Sequence, residues 1–427
     1  MQTAWHPLTR IAFRFGVVYF GLYLLLFAQV LYVYAGVVAE WLPDDAVLWQ
    51  MRLVEVPVAW TGAHVFGVDA ALRASGSGDQ TAIWVQIFLH LVVAVVAAAA
   101  WSVLDRRRPA YPVLFRWFTV LLRLALAGQL LLYGFAKAVP NQMPFPTLTT
   151  LITPYGEQQL MDVLWNQVGA APTYQILLGL AEIAAGLLLV LPRTAVLGAL
   201  LGAVCMAQVF VLNLTFDVPV KIHSGHLLLI AAVLLLPHLR TLAGVLVLGR
   251  PGAPVTPPPL FAARRADRIA LAVQLLLVGW LIAGQAQAAA DGYREYGNGM
   301  PRPALYGIWE VTAFELAGTA LPPLRTDPDR WHRLVIDTGG AAYQRMDDTL
   351  VPVVATADPE AGTLVLTDPA ARAPIARFAV ERPAAELLTL RGELGGEAAA
   401  IELRQRDPHT FPMYHPPFRW VIDEVRR

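Results

Sequence analysis

The stretch Asn213-Leu-Thr-Phe-Asp217-Val-Pro-Val-Lys221-Ile-His223-Ser-Gly-His226 joins two long apolar runs and crowds Asp217, Lys221, His223 and His226 into the joint. Ionisable groups at the mouth of a membrane bundle are costly to hold there, so they mark a functional site by default. The flanking runs are two of several. A bilayer core needs about 20 apolar residues per helix. Segments that meet or approach that length are 11–37, 81–104, 116–138, 173–192, 194–214, 224–248 and 267–290. The first reads as a retained anchor, because its apolar stretch is too long for a signal peptide and no clean small-residue cleavage site follows.

Composition agrees. Of 427 residues 56% are hydrophobic, and mean hydropathy is +0.51. A soluble domain is roughly 45–50% apolar. The excess lies before residue 291; residues 291–427 read as an ordinary globular domain. Lys plus Arg equals Asp plus Glu at 32 each, which argues against a nucleic-acid partner and leaves the lipid bilayer as the first one. A lone cysteine, Cys205, excludes an intrachain disulfide and CxxC chemistry.

Arginines set the orientation. Arg106, Arg107 and Arg108, then Arg193, then Arg240, Arg250, Arg264, Arg265 and Arg268 fill alternate connections, while 138–172 has no Lys or Arg. By the positive-inside rule the N-terminus is cytoplasmic and the C-terminal domain extracytoplasmic, as in a bacterial inner-membrane protein. The 38–80 loop, with Trp41, Trp49 and Trp60, then lies outside as an interfacial segment or a lid. Residues 250–263 form a proline-rich cytoplasmic linker.

From Leu305 the pattern changes to period two. Runs beginning Gly307-Ile-Trp309, Trp331-His-Arg, Gly362-Thr-Leu, Ala376-Arg-Phe, Ala399-Ala-Ile and Phe418-Arg-Trp alternate apolar and polar. Turn signals at 338–340, 358–362 and 395–396 separate them. The expected domain is all-β, a meander barrel or a sandwich; Gly-x-Trp gives it a lipocalin-like flavour. The aromatic 411–418 segment is expected to pack on it.

Depth along the helices gathers candidate residues toward the outer face. Glu182 lies roughly 14 Å along span 4, near the bilayer middle, and Lys137 closes span 3 near the outer surface. Gln86 and His90 share a face of span 2; Gln208 and Asn213 lie toward the exit of span 5. Asp217 and Lys221 form the turn, and His223 and His226 share one face of span 6. Arg116 and Arg123, in the inner half of span 3, are expected to snorkel. Lys137, Glu182, His223 and His226 are the catalytic candidates; Asn213, Asp217, Lys221, Gln208, His90 and Gln86 are the binding candidates. Such a set suits a divalent metal, a proton relay with a general base, or a quinone held by its carbonyls.

Spans 3–6 resemble the DoxX-like membrane proteins over residues 116–245. The likeness rests on Tyr133-Gly-Phe-Ala-Lys137-Ala-Val-Pro140, on Leu180-Ala-Glu182-Ile-Ala-Ala-Gly186 and on the Asp217-Val-Pro-Val-Lys221 turn. Lys137 matches the family's Gly-x-x-Lys; Glu182 and Gly186 match its Glu-x-x-x-Gly. The resemblance implies a four-helix module at 105–248; outside it, the residue pattern places two spans within 1–104, a linker at 249–266, span 7 at 267–290 and the β domain at 291–427. The resemblance also implies quinone-linked redox work, or the assembly and maturation of other proteins. The order of lysine-bearing bundle and outer β domain is similar to the vitamin-K-dependent carboxylase (HTTM-type) group, in which a lysine acts as base on a reduced quinone. The expectations are therefore a component of a quinone-linked redox process at the outer face, a non-enzymatic assembly protein working through its β domain with a membrane or periplasmic partner, or a carboxylase-like enzyme with Lys137 as base. A transporter is disfavoured, since no inverted repeat is visible.

Overall fold

The computed structural model describes residues 4–250, 258–414, 420, 421 and 423. The expected run at 418–423 and the second half of the 411–418 segment fall mostly outside them, as does much of the proline-rich linker. The chain divides into two compact units, 1–139 with 173–291, and 140–172 with 292–427.

Among the described residues, the first unit is built on seven helices long and apolar enough to cross a membrane. They are α1 (Pro7–Leu26), α2 (Thr81–Leu104), α3 (Pro112–Ala138), α4 (Pro172–Val190), α5 (Ala195–Thr215), α6 (Lys221–Leu246) and α7 (Arg264–Glu295). Large apolar side chains such as Val96, Leu104, Val204 and Leu276 stand exposed on these helices, an arrangement that lipid satisfies and water does not. The chain is a multi-pass membrane protein. The central helix is α3, 61% of whose apolar window is buried against 17–39% for the others. Leu122, Leu126, Leu130 and Leu131 of α3 anchor the core against Leu189, Met206, Leu227 and Ile230.

The first apolar run does not continue as one helix to residue 37. Helix α1 stops at Leu26, Phe27 turns extended, and Gln29 and Gly36 take positive φ (68° and 57°). Residues 32–41 then form a 3-10 segment. Its backbone is pinned by side chains: Tyr34 donates to Leu124 O on α3 (2.6 Å), and Trp280 on α7 donates to Ala35 O (3.2 Å). A Cβ on Gly36 would overlap the Trp280 ring. Hydropathy counts apolar residues and is blind to this break. Arg123 does not snorkel either. It is 7% exposed and donates to Leu189 O and Val190 O, covering the carbonyls and the negative dipole end of α4.

The second unit contains a closed antiparallel barrel. Its strands are β1 (Gly307–Leu316), β2 (Thr319–Ala320), β3 (Trp331–Asp337), β4 (Gly340–Arg345), β5 (Leu350–Asp358), β6 (Thr363–Thr367), β7 (Pro374–Ala384), β8 (Leu387–Leu394) and β9 (Glu397–Arg406). Strands β1 and β3–β9 follow one another as a meander, and β1 pairs with β9 to close it; β2 adds to the end of β1. Residues of one parity, Leu364 and Leu366, Leu388 and Leu390, Ile401 and Leu403, point into a core shared with Trp309, Phe314, Trp331 and Phe378. That interior is filled by side chains, unlike a barrel that encloses a ligand. Trp309 of the Gly-x-Trp run is fully buried and donates to Leu305 O (2.9 Å).

Residues 140–172 pack on this barrel. Their short helix Leu148–Ile152 starts with Leu148 N–H donating to Asp337 (2.6 Å), and Leu148 sits in a cluster with Ile308, Val335 and Tyr414. Phe145 N–H donates to Asn298 (2.7 Å). Four spans, α4 to α7, separate the connection between α3 and α4 from the chain beyond α7, and an even number of crossings returns the chain to the same side of the membrane.

Candidate functional site

Helices α3 and α4 cross with almost nothing between their backbones. A Cβ on Gly179 would lie 2.4 Å from Ala138 N, and one on Gly134 would lie 2.9 Å from Ile183 N. Small residues at a crossing let membrane helices meet this closely. One turn from the contact, Lys137 donates to both Glu182 oxygens (2.8 and 3.1 Å), with side chains 7% and 3% exposed. The two charges therefore share one depth, although Lys137 ends α3 and Glu182 is mid-way along α4. The sequence places Lys137 at the end of one span and Glu182 within the next; the ion pair sets their charged groups side by side.

A polar network continues from the pair. The Lys137 ammonium stands over the Tyr133 ring (5.5 Å to its centroid), and Tyr133 donates to Gln29 Oε1 (3.0 Å). Gln129, fully buried, donates to Gln29 O (3.1 Å), which turns its own Oε1 to His223 Nε2 (3.0 Å). That amide oxygen only accepts, so Nε2 carries the His223 proton and Nδ1 accepts from Tyr23 (2.7 Å). His226 Nδ1 lies 2.7 Å from Ile222 O, so Nδ1 is its donor and Nε2 accepts from Tyr19 (2.8 Å). Every ring nitrogen of both histidines has a hydrogen-bond partner. Their rings stack: Tyr23 on His226 (4.3 Å, 9°) and Phe27 on His223 (5.3 Å, 5°).

The other candidates divide. Gln86 is buried and donates to Leu26 O (2.9 Å), tying α2 to α1. His90, one turn on, is 4% exposed, and neither ring nitrogen has a hydrogen-bond partner. Asn213 donates to Ser224 across the α5–α6 turn (3.0 Å). Asp217, at φ 52°, is exposed and pairs with Lys221 (2.9 Å). Gln208 is exposed and reaches only Tyr174 (3.4 Å). The set is thus a buried core of Lys137, Glu182, His223 and His226, a second buried group at Gln86 and His90, and an outer rim. Among the described residues no three His, Cys, Asp or Glu side chains gather as metal ligands do.

Several partners escaped the sequence reading. Gln29 and Gln129 interrupt apolar runs, and Tyr19 and Tyr23 stand one helical turn apart; these were the available signals. Asp79 gave none. It caps α6, accepting from Lys221 N–H (2.8 Å) and Ile222 N–H (2.9 Å), and it also faces the Lys221 ammonium (3.6 Å). Its place at a helix N-terminus depends on a loop returning from residue 67.

The fold and this network define a multi-pass membrane protein with a charged, hydrogen-bonded core and an appended β-barrel. No family model and no solved structure matches the chain. It is 32% identical over 123 residues to the uncharacterized protein YwoB of Bacillus subtilis (strain 168), a match covering 29% of this chain and 78% of that protein. The chain belongs to the family of YwoB.

Proposed function

We propose that this protein handles a quinone in a membrane redox process at the extracytoplasmic face of a bacterial cell membrane, with its N-terminus cytoplasmic and its β-barrel outside. The observation that carries the reading is the Lys137–Glu182 pair, buried at 7% and 3% exposure inside the bundle. Removing two charges from water costs several kcal/mol per ion, and apolar residues would pack there at no such cost. An intramembrane ion pair of this kind is a functional-site hypothesis by default. The resemblance of the Lys137 and Glu182 motifs to DoxX-like proteins points the same way.

A bound quinone would supply a two-electron, two-proton couple. Lys137 would donate an ammonium hydrogen bond to a quinone oxygen, with the Glu182 carboxylate holding the lysine charged and in place. Tyr133, against the Lys137 ammonium, is itself held by Gln29, and Gln29 by Gln129. Electrons come from a separate donor protein. The stacked rings of Tyr23, His226, Phe27 and His223 suit a flat aromatic neighbour.

The test is quinone extraction from protein purified out of native membranes. Near-stoichiometric quinone in the parent, lost in Lys137→Met and in Glu182→Gln, is the expected result. A quinone-free parent, or variants that retain their quinone, refutes the reading. Because the barrel interior is filled, a second role as a partner-docking surface falls to its outer face. Stoichiometric co-purification of one protein, abolished by changes within 300–414, would favour that role.

A further inference from the structure

We propose that His90 and the apolar groove between α1 and α2 bind the head and the tail of a prenylated quinone. This rests on the quinone reading above. The first observation is the imidazole itself. His90 is 4% exposed, yet neither of its ring nitrogens has a partner. A buried polar group left unpaired costs about 1–3 kcal/mol, so natural proteins keep few of them. Its neighbours differ: Gln86, His223 and His226 are all bonded. His223 and His226 therefore have no ring nitrogen to offer a ligand, and His90 has two. A neutral imidazole carries one donor and one acceptor. It can donate to a quinone carbonyl, and it can accept from a quinol hydroxyl.

The second observation is the groove. It has a volume of about 540 Å³ and is walled by Leu8, Ile11, Ala12 and Phe15 of α1 and by Val95, Ala98 and Ala99 of α2. Every lining side chain is apolar, as an isoprenoid tail requires. Val95 is five residues from His90, an axial rise of about 7.5 Å. Val95 itself lies about 140° round the helix from His90, so the link runs through Ala98 of the groove wall, which shares the buried stripe of α2 with Ala94 and His90; the head then sits at His90 and the tail beyond Ala98. Small buried residues, Ala94 and Ala98, line the intervening stretch of α2. From the groove floor, Phe15 stacks on Tyr19 (5.6 Å, 13°), and Tyr19 donates to His226. The same seam thus leads to the polar network.

The test is equilibrium dialysis of the full detergent-solubilised chain against two probes, a decyl-substituted benzoquinone and the same ring without its tail. His90→Leu is expected to weaken both by about tenfold, the value of one hydrogen bond. His90→Gln, which keeps a donor and an acceptor, is expected to hold most of the affinity. Ala98→Phe is expected to weaken only the tailed probe. The unfolding midpoint of His90→Leu is expected at or above that of the parent, because the lost imidazole had no bonds; a fall would overturn the premise. Unchanged binding in His90→Leu, with loss in Lys137→Met, would overturn this site and leave the quinone reading standing. A parent that binds neither probe would overturn both. If Ala98→Phe spares the tailed quinone but excludes a spin-labelled phospholipid, the groove is an ordinary acyl-chain slot and the tail assignment fails.

Discussion

Replacing Lys137 or Glu182 singly, and then both together, measures what the buried pair is worth. At a charge separation of 2.8 Å and an effective dielectric of about 20, the attraction is about 6 kcal/mol. Removing one partner leaves the other buried and uncompensated, so Lys137→Met and Glu182→Met are each expected to cost about 3–5 kcal/mol. The double variant removes the desolvation cost along with the attraction and packs two apolar chains beside Gly134 and Gly179. It is expected within about 1 kcal/mol of the parent, or more stable. The coupling in the cycle is then about 6 kcal/mol or more, in line with the direct electrostatic figure. Reversible unfolding in mixed micelles of rising SDS fraction reads all four proteins. If the double variant costs the sum of the singles to within about 0.5 kcal/mol, the two groups do not interact and the site collapses as described. Recovery of stability in the double variant with no recovery of bound quinone would separate the pair's functional role from any structural one.

Asp79→Ala should cost about 1–2 kcal/mol by uncapping α6, and protease nicking within 67–80 should rise; equal nicking in parent and variant would show that Asp79 does not tie this loop to α6. Leu148→Ala deletes a side chain 1% exposed and should cost about 2–5 kcal/mol. Proteolysis within 140–172 that stays at the parental rate would show that Leu148 does not hold this segment. Asp368 accepts N–H bonds from Ala371 and Ala370, which hold its carboxyl below the ordinary carboxylate range. Its contribution to the 368–373 turn is complete above the unfolded pKa near about 4 and is lost as pH falls through the lower folded value. Pepsin cleavage of that turn, normalised to a reference peptide, should rise below about pH 4 in the parent and already be high in Asp368→Asn; identical pH profiles would count against the capping.

Residue pattern alone was enough for the gross plan. Length and hydropathy located all seven membrane-length helices among the described residues, because lipid demands a long apolar segment and that demand is met within the segment itself. Period-two runs at 307–314, 331–336 and 399–404 announced a β domain for the same local reason. Strands β4, β5 and β8 went unread, since Gly, Ala, Pro and Glu blur their alternation. The motif around Gly134 and Lys137 marked one wall of the site, and Glu182 marked the other. What joined them was tertiary. Lys137 and Glu182 are 45 residues apart in the chain, and only the glycine-lined crossing of α3 and α4 puts their charges in contact. Likewise, nothing local distinguishes His90 from His223 and His226. All three are histidines on apolar helices, and only the packing of α1, α3 and α6 gives two of them partners and leaves the third with none. Hydropathy is summed along one segment, whereas a hydrogen bond or an ion pair belongs to two, and that is why the tertiary structure alone could decide the site.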